Sequence, residues 1–204
     1  MDIPSRLDFY QIGRAYALSR AQKLDPGMAD VSGSDLNLVL GYWGGGSGAP
    51  RTYHHTAPTN SLYGLHESLV ILQEEGLENS WTRHMRNHLA FRAGLEKLGL
   101  NFLVAEAHRL PQLNSVFIPQ GVDEKAIRKT LLEQFRLEIG AGLGDFAGKV
   151  WRFGLMGYSN RVENVVYCLN ALEAAFVASG MKLERGAAVA AAHLVYAAQA
   201  KMPT

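Results

Sequence analysis

Tyr53, His54, His55 and Thr56 place a phenol, two imidazoles and a hydroxyl on four consecutive residues, each able to donate a hydrogen bond to an anion such as phosphate. A helix opening near Asn60 or Ser61, with Leu62, Leu65, Leu69 and Leu72 on one face, would aim its first backbone N–H groups at the same place. Paired histidines ahead of a helix also occur as ordinary hydrogen-bonded loop residues, so the motif alone leaves both readings open. The second candidate is Arg152, within Val150–Met156, where every other residue except glycine is apolar. An arginine on a largely buried strand must meet an anion, because burying an unpaired charge is costly. An internal carboxylate such as Glu138 would serve. So would the α-carboxylate of an amino-acid substrate, which a guanidinium grips with two parallel hydrogen bonds.

Other combinations fall short of a site. His84 and His88 stand four residues apart on a helical pattern, a spacing that can bind metal, but no third ligand accompanies them. They read as a packed or solvated face, and no metal is expected. Gly140, Gly142 and Gly144, followed by Gly148-Lys149, fail both nucleotide fingerprints: the third glycine comes one residue early, and Val150 stands where a phosphate loop needs Ser or Thr. Turns between strands explain them. Gly44, Gly45, Gly46 and Gly48 read as a flexible connection. The single cysteine, Cys168, lies in an apolar helical pattern and is expected to pack rather than react.

The elements that would position these groups are set by periodicity. A short helix is possible around Leu7 to Leu18. Two helices, 61–75 and 77–98, end at Gly76 and Gly99, the second carrying Trp81, Met85, Leu89, Leu95 and Leu98. Short apolar runs then alternate with amphipathic ones: strands at 101–104, 113–119, 137–143 and 150–156, a helix from Asp123 to about Arg136 capped by Asp123, and a helix from Asn160, with Glu163 completing a capping box. The alanine-rich tail from Glu184 to Ala200 predicts a last surface helix. This order gives an α+β fold, a mostly antiparallel sheet covered by helices. The 204 residues are 48% hydrophobic and 19% charged, with a formal charge of +1 and no basic run, which argues against nucleic acid and anionic membrane as partners. With no apolar run of bilayer length and no targeting signal at Lys201–Thr204, a cytoplasmic location is expected.

Tyr-His-His-Thr-x-Pro followed by Ser-Leu-Tyr-x-Leu-x-Glu-Ser-Leu resembles the alanine/serine–glyoxylate branch of the class V, pyridoxal-phosphate-dependent aminotransferases. So does Gly-Lys-Val-x-Arg-x-Gly-x-x-Gly around Arg152, and the resemblance runs from about Asp35 to the end. It implies the small C-terminal domain of such an enzyme at 76–204, preceded at 1–75 by a remnant of the large cofactor domain and an interdomain helix. It implies that Tyr53 and Thr56 reach the phosphate of a neighbouring subunit's cofactor, and that Arg152 holds the substrate carboxylate. Ser19-Arg20-Ala21-Gln22-Lys23 is similar to the segment that carries the cofactor-binding lysine, which makes Gln22 and Lys23 the candidates there. The spacing from this segment to Pro26-Gly27 is shorter than the family's, and the residues before it do not follow the family's pattern. The implied partners are a small amino acid, a 2-oxo acid, and either a second copy or a separate chain carrying the large domain. The family's first half, with most of the cofactor site, has no counterpart here, so these residues are expected to be weakly active or inactive alone. A non-catalytic module for dimerisation or amino-acid binding is the alternative. Helices 61–98 pack on the large domain in the family, so their apolar stripes are expected to lack partners and to favour association.

Overall fold

The computed structural model describes Pro50, Arg51, Tyr53 and residues 59–199. Lys23, Gln22, Thr56, the helix expected at 7–18 and the glycine-rich connection at 44–48 lie outside the described residues. The chain divides into two compact units, residues 1–68 and 69–204.

The described elements begin with two helices, α1 (Thr59–Glu75) and α2 (Leu77–Lys97), separated by Gly76 at φ 82°, a left-handed conformation that glycine adopts without a Cβ clash. Strand β1 (Leu113–Phe117) comes next. Helix α3 (Glu124–Phe135) is capped as expected by Asp123, whose carboxylate accepts from the Lys125 and Ala126 amides at 3.0 and 3.1 Å. A two-residue strand β2 (Gly140–Ala141), strand β3 (Val150–Gly154), helix α4 (Val162–Ala178) and helix α5 (Ala187–Gln199) complete the order.

The three strands form one antiparallel sheet in the order β1-β3-β2, so β3 is central. Two expected strands shrink. Residues 101–104 contribute only a bridge from Phe102 to Val116, and the run at 137–143 pairs only at Gly140 and Ala141. The core lies between the sheet and helices α2, α3, α4 and α5. In it Trp151 stacks on Phe176 at 6.0 Å and Phe91 meets Phe153 edge-on at 5.4 Å.

The alanine-rich tail is more than a surface helix. Ala188 and Ala192 are fully buried, and α5 approaches α2 so closely that a Cβ on Gly94 would stand 3.0 Å from the Ala188 carbonyl oxygen and 2.4 Å from Leu169 Cδ1. Small residues on both helices permit that approach.

The face that α2 buries differs from the periodic reading. Trp81 and Met85 are exposed, and the buried face of its first half is polar: Ser80, His84, Asn87 and His88. In α1 no residue is buried, and Leu62, Leu65 and Leu69 are each more than half exposed, whereas Phe91, Leu95 and Leu98 of the second expected helix are buried in the core. Among the described residues no helix is long and apolar enough to cross a membrane.

Because the α2–α4–α5 contact leaves no room at position 94, Gly94→Val should destabilise the protein by about 1–3 kcal/mol despite removing a helix-interior glycine. A lowered denaturant midpoint with an unchanged m-value would show it; an unchanged midpoint would mean the helices can part freely.

Candidate functional site

Side chains alternate across a strand, so β3 sends Trp151 and Phe153 into the helical core and Arg152 to the opposite face of the sheet. There Arg152 stands between Ser115 of β1 and Gly140 of β2. Glycine at 140 leaves room at this point: a Cβ would lie a tight 3.3 Å from the Arg152 carbonyl oxygen and in contact with its Nε at 3.5 Å. The half-buried guanidinium lies along that gap and donates from Nε to the Ala141 carbonyl at 2.8 Å. Arg152 makes no ion pair with any described residue, and the Glu138 carboxylate is exposed and unpaired with it. One N–H is anchored, the chain's direction is fixed, and the two terminal nitrogens remain for an outside anion. That is an arrangement suited to a carboxylate.

Tyr53 is 76% exposed, and Arg51 is exposed beside it.

The loop after β3 is held by a buried polar cluster that periodicity does not reveal. Asn160, predicted as a helix cap, caps nothing: Arg161 occupies the cap position, and the buried Asn160 amide instead donates to the Leu155 carbonyl at 2.9 Å. Its side-chain oxygen accepts from Asn87 Nδ2, and its backbone carbonyl accepts from Asn87 Nδ2 at 3.2 Å and from Arg83 Nη1 at 2.9 Å. Tyr196 donates to Asn87 Oδ1 at 2.9 Å, tying α5 into the cluster. Arg83 also donates to the Gly157 carbonyl and pairs with Glu75, whose carboxyl it holds below the ordinary value. The only signal in the sequence is spacing: Ser80, His84, Asn87, His88, Phe91, Gly94 and Leu95 fall on one helical face.

The two histidines of α2 are structural. His84 donates from Nδ1 to the Ser80 carbonyl at 2.7 Å and accepts at Nε2 from the Gly157 amide at 3.2 Å, which fixes its neutral tautomer. His88 lies 2.7 Å through Nδ1 from Asn114 Oδ1 and is held below the usual histidine pKa chiefly by burial, against the opposing pull of that hydrogen bond. Among the described residues no group of three His, Cys, Asp or Glu could hold a metal ion. Cys168 is buried and its thiol pushed up to about 12 by desolvation, so it packs and does not act as a nucleophile.

No protein-family model matches the chain. The chain is 40% identical over 162 residues to the (S)-ureidoglycine–glyoxylate transaminase of Bacillus subtilis, covering 79% of this chain and 38% of that protein. It is 44% identical over 142 residues to the alanine–glyoxylate aminotransferase of Callithrix jacchus, covering 69% of this chain and 34% of the relative. Among solved structures, the ureidoglycine–glyoxylate aminotransferase from Bacillus subtilis superposes with a TM-score of 0.70 at 38% identity, over 80% of this chain and 41% of that one. The chain therefore spans about one third to two fifths of the length of these relatives.

A buried neutral histidine makes stability depend on pH with a fixed sign. Because the folded-state pKa of His88 lies below its ordinary value of 6.5, its contribution is intact above that pH and is lost as the pH falls further, where the unfolded chain takes up the proton first. His88→Gln should therefore shrink the stability difference between about pH 7.5 and about pH 5.5, read from urea melts at both.

Proposed function

We propose, on the premise that this chain is a relative of the class V, pyridoxal-phosphate-dependent aminotransferases, that it provides the substrate-carboxylate grip of an enzyme transferring an amino group from alanine or serine to glyoxylate. The observation that carries the reading is the Arg152 guanidinium, anchored at Nε to Ala141 and ion-paired with no described residue. The names of the two relatives given above both contain glyoxylate and differ in the other substrate, which supports glyoxylate, while a further relative, 31% identical, is named a pyridoxamine–pyruvate transaminase.

Residues 76–204 would form the small domain and residues 1–75 the part of the large domain that leads into it. Arg152 would receive the α-carboxylate of donor and acceptor in turn, fixing the orientation of the carbon at which the proton moves. Among the described residues, the Tyr53 phenol is a group able to donate to a cofactor phosphate, and with Thr56 it would do so across a subunit boundary. By the resemblance, Gln22 and Lys23 are the candidates to hold the cofactor, Lys23 as its covalent anchor. When bound, the cofactor supplies the electron-withdrawing ring that weakens the bond to hydrogen at the substrate's α-carbon.

Most of the cofactor site that the resemblance implies has no counterpart in these 204 residues, so turnover would require groups from outside them. The exposed Leu62, Leu65 and Leu69 of α1 suit assembly with another chain, and equally suit the alternative of a non-catalytic dimerisation or amino-acid-binding module.

Purified with added pyridoxal phosphate, the 204 residues alone should show little borohydride-reducible chromophore and little alanine-to-glyoxylate turnover; strong signals in both would contradict the requirement for groups outside them. In an assembly that does turn over, Arg152→Lys should raise the KM for the donor about 30-fold, corresponding to roughly 2 kcal/mol for a lost charge-assisted hydrogen bond. An unchanged KM would remove Arg152 from the site.

A further inference from the structure

A cavity of about 340 Å³ opens within residues 69–204, on the face of the sheet turned away from Arg152. Its floor is apolar: Phe91 of α2, Ile139 before β2, Phe153 and Leu155 at the end of β3, and Val165 of α4. Its rim is polar and of mixed sign, with Arg136, Glu138, Asn164 and Tyr167.

Arg136 is unusual in its backbone. It comes directly after the last residue of α3 at φ 52°, and it is the one non-glycine residue with positive φ among those described. Glycine is the usual occupant of such a helix end, because a Cβ there meets the following carbonyl. An arginine held in that conformation, exposed and ion-paired with no described residue, points to a use for its side chain beyond ending the helix. Glu138, two residues on, is likewise exposed and unpaired. Asn164 donates one of its two side-chain N–H groups to the Ser159 carbonyl and keeps its side-chain oxygen to accept; Tyr167 spends its O–H on the Phe135 carbonyl, which leaves its phenolic oxygen to accept.

A ligand for this cavity therefore meets one cationic donor, one carboxylate, two neutral acceptors and an aliphatic and aromatic floor. We infer that the cavity binds a free α-amino acid with a branched apolar side chain, its carboxylate on Arg136, its ammonium among Glu138, Asn164 and Tyr167, and its side chain on the floor. A simple carboxylic acid would leave Glu138 facing the apolar end of the ligand, and an amine would leave Arg136 unmatched. A zwitterion answers both. This site is independent of the proposed transaminase reading, since it lies across the sheet from Arg152, and ligands of the two sites would share only the strand β3.

The test is titration of the full chain with L-leucine and with 4-methylpentanoate, combined with methyl NMR of Ile139, Leu155 and Val165. Leucine should bind saturably and at least tenfold more tightly than 4-methylpentanoate, and Glu138→Gln should erase that preference. Arg136→Gly should lose the binding while its thermal midpoint stays level or rises, because glycine accepts the left-handed conformation; a loss caused by misfolding would lower it. Arg152→Gln should retain the saturable leucine site that the Ile139, Leu155 and Val165 methyl signals report. The inference is overturned if the parent chain shows no saturable leucine binding, if Arg136→Gly retains it, or if Arg152→Gln alone abolishes it.

Discussion

A β-strand cannot place neighbouring side chains on the same face, and the segment Val150–Gly154 is built on that constraint. Trp151 and Phe153 must enter the core, where they meet Phe176 and Phe91, and the same geometry expels Arg152 to the other side of the sheet. The apolar neighbours therefore fix where the one cation stands. A one-residue slip in register would bury the guanidinium against Phe176 and expose the indole, an exchange of large hydrophobic gain for a desolvated charge. The edge strand completes the arrangement by being almost absent as a side-chain surface. Gly140 makes room, and the Ala141 carbonyl gives the guanidinium a hydrogen bond that orients it without neutralising it.

Beyond β3 the backbone is irregular, and irregular backbone needs partners for its polar groups. The carbonyls of Leu155, Gly157 and Asn160 and the amide of Gly157 find them in Asn160 itself and in Arg83, His84 and Asn87 of α2. This explains why the first half of α2 buries polar side chains while Trp81 and Met85 face outward. The helix serves as a hydrogen-bonding wall for a loop before it becomes, from Ala90 onward, a wall of the apolar core. Both roles meet α5, which reaches the cluster through Tyr196 and the core through Ala188 and Ala192.

The sequence reveals local chemistry well and partnership poorly. The Asp123 cap, the left-handed glycines at 76 and 99, the turn glycines between β2 and β3, and the packed Cys168 each depend on a residue and its immediate neighbours, and each is legible in a single pass. Asn160 reads as a cap in the sequence because an asparagine ahead of a helix offers the same side chain whether its partner is the helix or a distant carbonyl. The inward side of α2 is hidden because Leu, Trp and Met mark two stripes, and the choice between them belongs to a network formed by residues some seventy positions away. Arg152 stands out since a lone charge in an apolar strand needs an explanation; its freedom from Glu138 emerges only in three dimensions. Arg136 gives no signal at all, because a left-handed backbone at a non-glycine residue is invisible in a sequence.

A carboxylate grip at Arg152 requires its two terminal nitrogens to be available to a small anion while Nε stays committed to Ala141. Side-chain nitrogen NMR of Arg152, assigned by loss of its signals in Arg152→Lys, reads both at once as alanine or glyoxylate is added to the assembled protein. The terminal N–H signals should shift and rotation about the guanidinium should slow, with the Nε–H signal nearly unmoved. Signals unchanged at saturation, or terminal nitrogens already locked in a pair with Glu138, would contradict the grip.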